Sequence, residues 1–139
     1  MIMAMELPGL DVRPGRVVEA EIRRRFNIPV SFDSSASPKE FLLVASFGRS
    51  KFHLTSVSVA RILQSVIGGV SDGFRVLPLA DRVFRFSVSF QEAGFHIYNL
   101  RSYTCSSFKL FFHLWHNGGP NFRREYQAWE AEQSVDPNC

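Results

Sequence analysis

The sequence predicts an α+β domain with a ferredoxin-like β-α-β-β-α-β order and a four-stranded antiparallel sheet. Apolar runs and apolar-polar alternation predict strands at residues 41–47, 74–79, 82–89 and 107–115. Apolar residues at three- and four-residue spacing predict one helix after the first strand and another after the third. Both helices are then expected on one side of the sheet, which leaves the other side open.

The first half of this unit has clear local signals. The strand at residues 41–47 is a near-continuous apolar run, as expected when both of its faces are covered. The basic segment 48–53 is predicted to be a loop. The following helix is predicted to be capped by Thr55 and to end at Gly68-Gly69. Its apolar stripe consists of Val59, Ile62, Leu63, Val66 and Ile67.

The second half begins with two strands joined by a tight turn at Ala80-Asp81. Ser89 and Glu92 have the spacing of a capping box and predict that a helix starts there. Residues 102–106 are predicted to be a loop. In the last strand, residues 107–115, apolar residues alternate with a mixed set of cationic and aromatic residues.

The ends of the chain are predicted to be additions to the unit. Residues 1–38 are expected to form an irregular extension with one short helix at 16–26 and a short edge strand at 28–32. Arg23, Arg24 and Arg25 are read either as a solvated helix end or as phosphate contacts. Residues 39–133 are predicted to be a single domain that includes a final helix capped by Asn121, and residues 134–139 a frayed tail.

The charge of the chain is unevenly distributed. The net charge of the 139 residues is +3, but residues 39–124 contain eleven cationic and four acidic residues, a net charge of +7. A basic core is typical of proteins with an anionic partner, nucleic acid first. Ordinary solvated surface charge is the alternative.

Composition and motifs argue against several other classes. Cys105 and Cys139 are too few for a disulfide framework or a cysteine-rich zinc site. No segment approaches the roughly 18 apolar residues of a membrane span. On a strand, His113 and His116 point to opposite faces, so no metal site is expected. With no catalytic constellation and no cofactor motif, the sequence predicts a non-enzymatic protein without a cofactor.

The expected location is intracellular, in the cytoplasm or nucleus. The apolar start of the chain is short and meets Glu6 at once, unlike a secretory signal. Acidic residues in the first segment also disfavour a mitochondrial presequence.

A family resemblance rests on residues 41–47, the helix end Ile67-Gly68-Gly69, residues 82–87 and residues 108–115. Over roughly residues 39–116 the chain resembles a plant domain of unknown function. That domain occurs in retroelement-derived proteins of grasses, often ahead of zinc knuckles. The resemblance implies an RRM-like fold and a role in nucleic-acid binding or assembly, with no catalytic residues. The chain lacks any Cys-x-x-Cys, which suggests a truncated or repurposed copy.

The candidate nucleic-acid-binding residues follow from alternation in two strands. If Phe84 and Phe112 face the helices, five side chains point to the open side: Arg85, Lys109, Phe111, His113 and Trp115. Arg49 and Lys51 of the basic loop complete the candidate site. Single-stranded nucleic acid, with RNA favoured, is the predicted partner, bound by stacking on aromatics and by phosphate contacts.

An alternative function is protein interaction or homodimerisation. The final helix carries Phe122, Tyr126 and Trp129 on one side, and aromatic residues are enriched at protein interfaces. These three residues are the candidate interface. In a further alternative, Phe111 and Trp115 lie beneath the final helix rather than on an open surface.

Overall fold

The computed structural model describes residues 10–31 and 41–115, together with Gln127 and Ala131, which are both helical. Along the chain it contains α1 (Arg13–Phe26), β1 (Phe41–Ser50), α2 (Ser56–Ile67), a 3-10 helix (Ser71–Phe74), β2 (Leu77–Ala80), β3 (Val83–Val88), α3 (Gln91–Leu100), β4 (Ser102–Thr104) and β5 (Phe108–Leu114). The predicted α+β class is confirmed, but the sheet has five strands where four were predicted.

The strands form one antiparallel sheet in the order β2-β3-β1-β5-β4. β1 lies at the centre and pairs with β3 on one side and β5 on the other. The register places Val44 opposite both Arg85 and His113. Residues that lie opposite each other in an antiparallel pair share a face, so this register decides which side chains face the core.

The face of the sheet that packs against the helices, here called the inner face, shares one apolar core with them. Its core residues are Phe41, Leu43, Ala45, Phe47, Phe84, Phe86, Val88, Phe108, Leu110 and Phe112. Aromatic rings meet edge to face within this core. The ring centroids of Phe41 and Phe95 are 5.1 Å apart, and those of Phe74 and Phe86 are 6.0 Å apart. Much of the abundant phenylalanine therefore fills the core.

Helix α2 forms where its local signals place it. The Thr55 hydroxyl accepts a hydrogen bond from the Ser58 N–H (3.1 Å), and the Ser58 hydroxyl accepts one from the Thr55 N–H (2.8 Å). This reciprocal pair satisfies N–H groups that the first turn otherwise leaves unpaired. Gly68 ends the helix with φ of 81°. The predicted start and end of this helix are confirmed.

The short helix predicted at residues 16–26 forms and begins three residues earlier than predicted. α1 spans Arg13–Phe26, with Pro14 in its first turn, where proline is tolerated. Ile22 is fully buried and belongs to the same core as the sheet. Ser65, which is not part of the apolar stripe of α2, is only 1% exposed because α1 covers that side of the helix.

Contact between α1 and α2 depends on Gly15. A Cβ atom at this position would lie 2.6 Å from the Gly68 nitrogen and 2.9 Å from the Ser65 carbonyl oxygen, closer than real Cβ atoms approach. Backbone atoms cannot swing aside as a side chain can. The absence of a side chain at Gly15 therefore lets the two helices approach closely.

The predicted loop at 102–106 and the predicted loop at 48–53 were both partly wrong. Residues 102–104 form the edge strand β4, in which Tyr103 lies opposite Leu110 and its ring centroid is 5.9 Å from that of Phe108. β1 continues to Ser50, with a register shift between Phe47 and Ser50. In both places the neighbouring strand β5 supplies backbone partners that a local pattern does not reveal.

The second predicted strand, residues 74–79, begins later than expected. Phe74 ends the 3-10 helix and is fully buried, and Arg75 then takes a left-handed conformation with φ of 50°. The chain therefore changes direction before β2 starts at Leu77. The tight turn lies at residues 81–82, one residue after its predicted position.

The capping box predicted at Ser89 is not formed. The Ser89 hydroxyl donates a hydrogen bond to the Pro29 carbonyl, and the Ser89 N–H donates to the Val30 carbonyl (3.0 Å). Phe90 is the N-cap of α3 and has no capping side chain. Residues 28–31 do not form the predicted edge strand. The Ser89 hydroxyl, which a cap would need, is therefore hydrogen-bonded to the segment after α1 instead of to the first turn of α3.

His96 is a half-buried residue of α3 whose side chain faces α1. Its ring meets the Phe26 ring edge to face, with the centroids 6.5 Å apart. Burial lowers the pKa of His96 below its usual 6.5, the Arg25 cation lowers it further, and Glu21 opposes the shift. The neutral ring is thus the form that fits the α1–α3 contact.

We expect Gly15→Ala to destabilise the protein, although alanine is the better helix former by about 1 kcal/mol. The added methyl group would overpack the contact with α2, which lowers the free energy of unfolding by about 1–3 kcal/mol. Val17→Ala is the matched control, because Val17 is in the same helix and 69% exposed. Urea denaturation measures both variants, and a stabilised Gly15→Ala variant would contradict this packing.

A second prediction concerns pH. The unfolded chain binds the His96 proton more readily than the folded chain does, so the free energy of unfolding should fall as the pH drops below about 6.5. It should level off once both states are protonated. Urea titrations from neutral to mildly acidic pH should show a weaker dependence in His96→Gln. The exposed His53, changed to Gln, is the control, and equal pH dependence in all three proteins would refute the assignment.

Candidate functional site

The candidate site lies on the face of the sheet opposite the core, here called the outer face. The register places Arg85, Lys109, Phe111 and His113 on this face, as the alternation predicted. Trp115 follows the end of β5, and its ring centroid is 5.6 Å from the Arg85 guanidinium carbon. Their role in ligand binding stays a prediction.

The outer face is divided into a covered part and an exposed part. Val44 is 9% exposed and Ser87 is 1% exposed. The Ser87 hydroxyl donates to the Phe74 carbonyl (3.2 Å), which satisfies this buried group. Arg85 is half-buried. The part of the face formed by β3 and the middle of β1 therefore offers little surface to a ligand.

The exposed part, called the β5 patch below, is formed by Ser46, Gly48, Lys109, Phe111 and His113. Lys109 and His113 are exposed, and Phe111 is half-buried between them. The Lys109 Nζ atom lies 5.3 Å from the centroid of the Phe111 ring, within the range of a cation–π contact. This places one positive charge beside one aromatic ring that solvent can reach.

Ser46 and His113 form a polar pair within the β5 patch. The Ser46 Oγ and His113 Nε2 atoms are 2.8 Å apart and share a hydrogen bond whose direction depends on the histidine tautomer. Ser102 lies opposite Phe111, and Thr104 lies opposite Lys109. Hydroxyl groups of β1 and β4 therefore border the aromatic ring on both sides.

Arg49 and Lys51 lie beyond the β5 patch, at and just after the end of β1. The Arg49 guanidinium donates hydrogen bonds to the carbonyls of Cys105 (2.7 Å) and Ser106 (3.0 Å). It thus ties β1 to the turn between β4 and β5 while it keeps its positive charge. Lys51 is exposed, and its backbone N–H donates to the Ser107 carbonyl (2.7 Å).

Ser46, Gly48 and Arg82 contribute to this surface and were not identified from the sequence. Gly48 was assigned to a loop but lies in β1, with Lys109 and Phe111 as its nearest neighbours. Arg82 was not singled out, yet its guanidinium donates to the Gly48 carbonyl (2.7 Å). The position of Gly48 next to an apolar run was the one feature of the sequence that could have indicated a glycine within a strand.

Electrostatically, the sheet is free of acidic residues. Its five strands contain Arg49, Arg85 and Lys109 and no Asp or Glu. Residues 41–115 together hold eight cationic and three acidic residues, a net charge of +5. This excess makes the described core attractive to anions.

The arginines of α1 differ from those of the sheet because acidic partners accompany them. Arg23 lies 3.9 Å from Glu19, and Glu21 lies near both Arg24 and Arg25. These pairs are exposed and contribute about 0–1 kcal/mol each to stability. The nearby carboxylates reduce the attraction of this triplet for phosphate.

Several predicted residues fall outside the description. The candidate interface residues Phe122, Tyr126 and Trp129, and also His116, lie outside the described residues. Gln127 and Ala131 are helical and exposed. Over residues 10–31 and 41–115, no group of three or more His, Cys, Asp or Glu side chains is arranged to hold a metal ion.

Two surface clefts lie away from the β5 patch. A cleft of about 440 Å³ lies between the start of α2 and the β2–β3 turn and includes His53, Thr55 and Arg82. Another of about 340 Å³ lies between α2 and the 3-10 helix. Neither of these two clefts contains Lys109, Phe111 or His113.

Comparisons with protein-family models, with curated proteins and with solved structures found no match. None of the helices in the described ranges has the length and apolar composition of a membrane span.

Proposed function

We propose that this chain is a non-catalytic module that binds single-stranded nucleic acid, with RNA favoured, through the β5 patch. One observation carries the proposal: the five strands contain three cationic residues and no carboxylate. A polyanion can approach such a face without meeting a like charge. The exposed Lys109 beside Phe111 then supplies the two contacts that single strands use, a cation for phosphate and a ring for a base.

The proposed function includes a finer assignment of the fold. Strands β2, β3, β1 and β5 are adjacent in that order, with α2 after β1 and α3 after β3. A ferredoxin-like arrangement has this neighbour order, and β4 would be an added edge strand. RRM-like binding on the open sheet, and descent from a plant retroelement protein, are part of the same proposal. The resemblance of residues 39–116 is their support.

The chemistry of binding follows from the β5 patch. The Phe111 ring becomes a surface on which any base can stack when the exposed Lys109 side chain, whose ammonium lies over the ring, turns toward a phosphate. Lys109 is placed to meet the adjacent phosphate, and Arg49 and Lys51 extend the positive charge past the end of β1. Binding of this kind displaces counterions and weakens as salt is added.

Lys109→Glu should weaken binding to a fluorescein-labelled random single-stranded RNA at low salt by on the order of tenfold or more. It removes a phosphate contact and places a carboxylate beside Phe111. Arg61→Glu is the matched control, because it changes the net charge equally but lies on α2. Fluorescence anisotropy at low and moderate salt measures both variants.

Two outcomes would count against the proposal. Wild-type protein that ignores RNA at low salt would refute nucleic-acid binding itself. Equal losses in Lys109→Glu and Arg61→Glu would show that binding depends on net charge and not on the β5 patch.

Self-association is a second candidate function, and the edge strand β2 favours it. All four residues of β2 are exposed, including Leu77 (45%) and Leu79 (41%). The short length of β2 and its Pro78 limit backbone pairing at this edge, so another chain would be contacted through the leucine side chains. We propose a second copy of β2 as that partner, since a twofold contact would bring the same leucines together.

We expect light scattering to show a dimer that forms as protein concentration rises, and a monomer for the double variant Leu77→Lys, Leu79→Lys. Leu100→Lys is the control, because Leu100 is also exposed but lies at the end of α3. A wild-type monomer at every concentration would remove this candidate.

A further inference from the structure

Gly48 is a glycine that folding does not require. Its φ angle is not in the left-handed region, where Gly68 and Gly69 lie. The nearest atoms to a Cβ built at Gly48 belong to Lys109 and Phe111 and are 3.6 Å away, an ordinary van der Waals distance. Gly15 differs, because a Cβ there would lie 2.6 Å from a backbone nitrogen. Gly48 lies at the register shift of β1, a common place for a strand glycine, but only the bulge type that holds its residue at positive φ requires glycine, and Gly48 does not have that φ.

The surroundings of Gly48 show what the missing side chain leaves open. Gly48 is exposed on the outer face. The Cβ and Cδ atoms of Lys109 and the edge atom Cε2 of Phe111 border the space where a side chain would stand. The Arg82 guanidinium donates to the Gly48 carbonyl, which fixes this stretch of backbone. A bare backbone surface therefore lies beside an aromatic ring and a cation.

We propose that Gly48 is an access residue, which admits one nucleotide base onto the Phe111 ring with the adjoining phosphate at Lys109. The inference rests on the proposed function and names a determinant within the same site. A flat base stacked on Phe111 extends past the edge of the ring, and Gly48 lies at that edge. A larger side chain at position 48 would occupy the space of the base. It would not remove the positive charge of Lys109, which would still be available to a phosphate.

We expect the outer face to stack a single base. Among the outer-face residues of the five described strands, Phe111 is the only Phe, Tyr or Trp. Trp115, just beyond β5, is half-buried with Arg85 against its ring. Neighbouring nucleotides are then held by their phosphates, through Lys109, Arg49 and Lys51.

The test compares two probes on one variant. Gly48→Val should weaken binding of a short labelled oligouridylate by on the order of tenfold, the loss expected when one base–aromatic stack is blocked. It should leave unchanged the binding of an abasic ribose-phosphate oligomer of equal length, because phosphate contacts remain. Ala80→Val is the control, because it also introduces a valine at an exposed strand position, here at the far edge of the sheet. Circular dichroism and thermal melting verify the fold of each variant.

The outcomes separate this inference from the function on which it rests. Wild-type protein that binds neither probe refutes the proposed function. A folded Gly48→Val protein that binds oligouridylate as wild type does overturns the access role and leaves nucleic-acid binding standing. An equal loss for both probes also overturns it, because the side chain would then be disturbing phosphate contacts. Should Gly48→Val fail to fold, Gly48→Ala replaces it, and unchanged oligouridylate binding in that variant overturns the access role.

Discussion

The position of every side chain on the outer face depends on the pairing of β1 with β3 and with β5. This register sets Val44 opposite Arg85 and His113. A slip of one residue in β5 would turn Lys109 and Phe111 inward and expose their buried neighbours. Exposing one such large apolar side chain costs about 1.5–3 kcal/mol. The apolar inner face thus fixes the chemistry of the face that it does not touch.

Stability and the candidate function are located on different sides of the sheet. The buried phenylalanines and the close contact of α1 with α2 lie on the inner side. On the exposed part of the outer face, Lys109 has no acidic residue opposite it, although a cross-strand pair of opposite charges would add roughly 0.2–1 kcal/mol. Strand propensity accounts for part of the absence of carboxylates from the five strands, because Asp and Glu are depleted in strands. An anionic ligand, as proposed, would add a second reason at the exposed positions.

The sequence predicted those elements that nearby residues determine, and it missed those that depend on contacts with distant parts of the chain. α2 was predicted well because Thr55 and Gly68 act within their own helix ends. The role of Gly15 was not predicted, since only the approach of α2 reveals why glycine is needed there. Ser89 had the spacing of a cap, but the segment after α1 takes its hydrogen bonds. β4 is three residues long, too short for periodicity, and exists because β5 offers a free edge.

The sequence predicted which side chains of the candidate site share a face, but not which of them are exposed. Alternation along β5 placed Lys109, Phe111 and His113 on one face, because a strand has a period of two residues. Alternation does not reveal burial, so the covered state of Ser87 could not be foreseen. Gly48 was assigned to a loop because its basic neighbours resemble a solvated segment. Only pairing with β5 shows that it lies beside the aromatic ring.

The β5 patch has few groups with which to distinguish one base from another. Stacking on Phe111 is open to all bases, and Lys109 meets only the backbone. Ser46 and His113 are already hydrogen-bonded to each other at 2.8 Å. Reading a base edge with this pair would first break a bond worth about 1 kcal/mol, so the gain from the new bond would be largely offset. If the patch binds single-stranded nucleic acid as proposed, sequence-tolerant binding, with affinity set by charge and one stacked base, is therefore the expected behaviour.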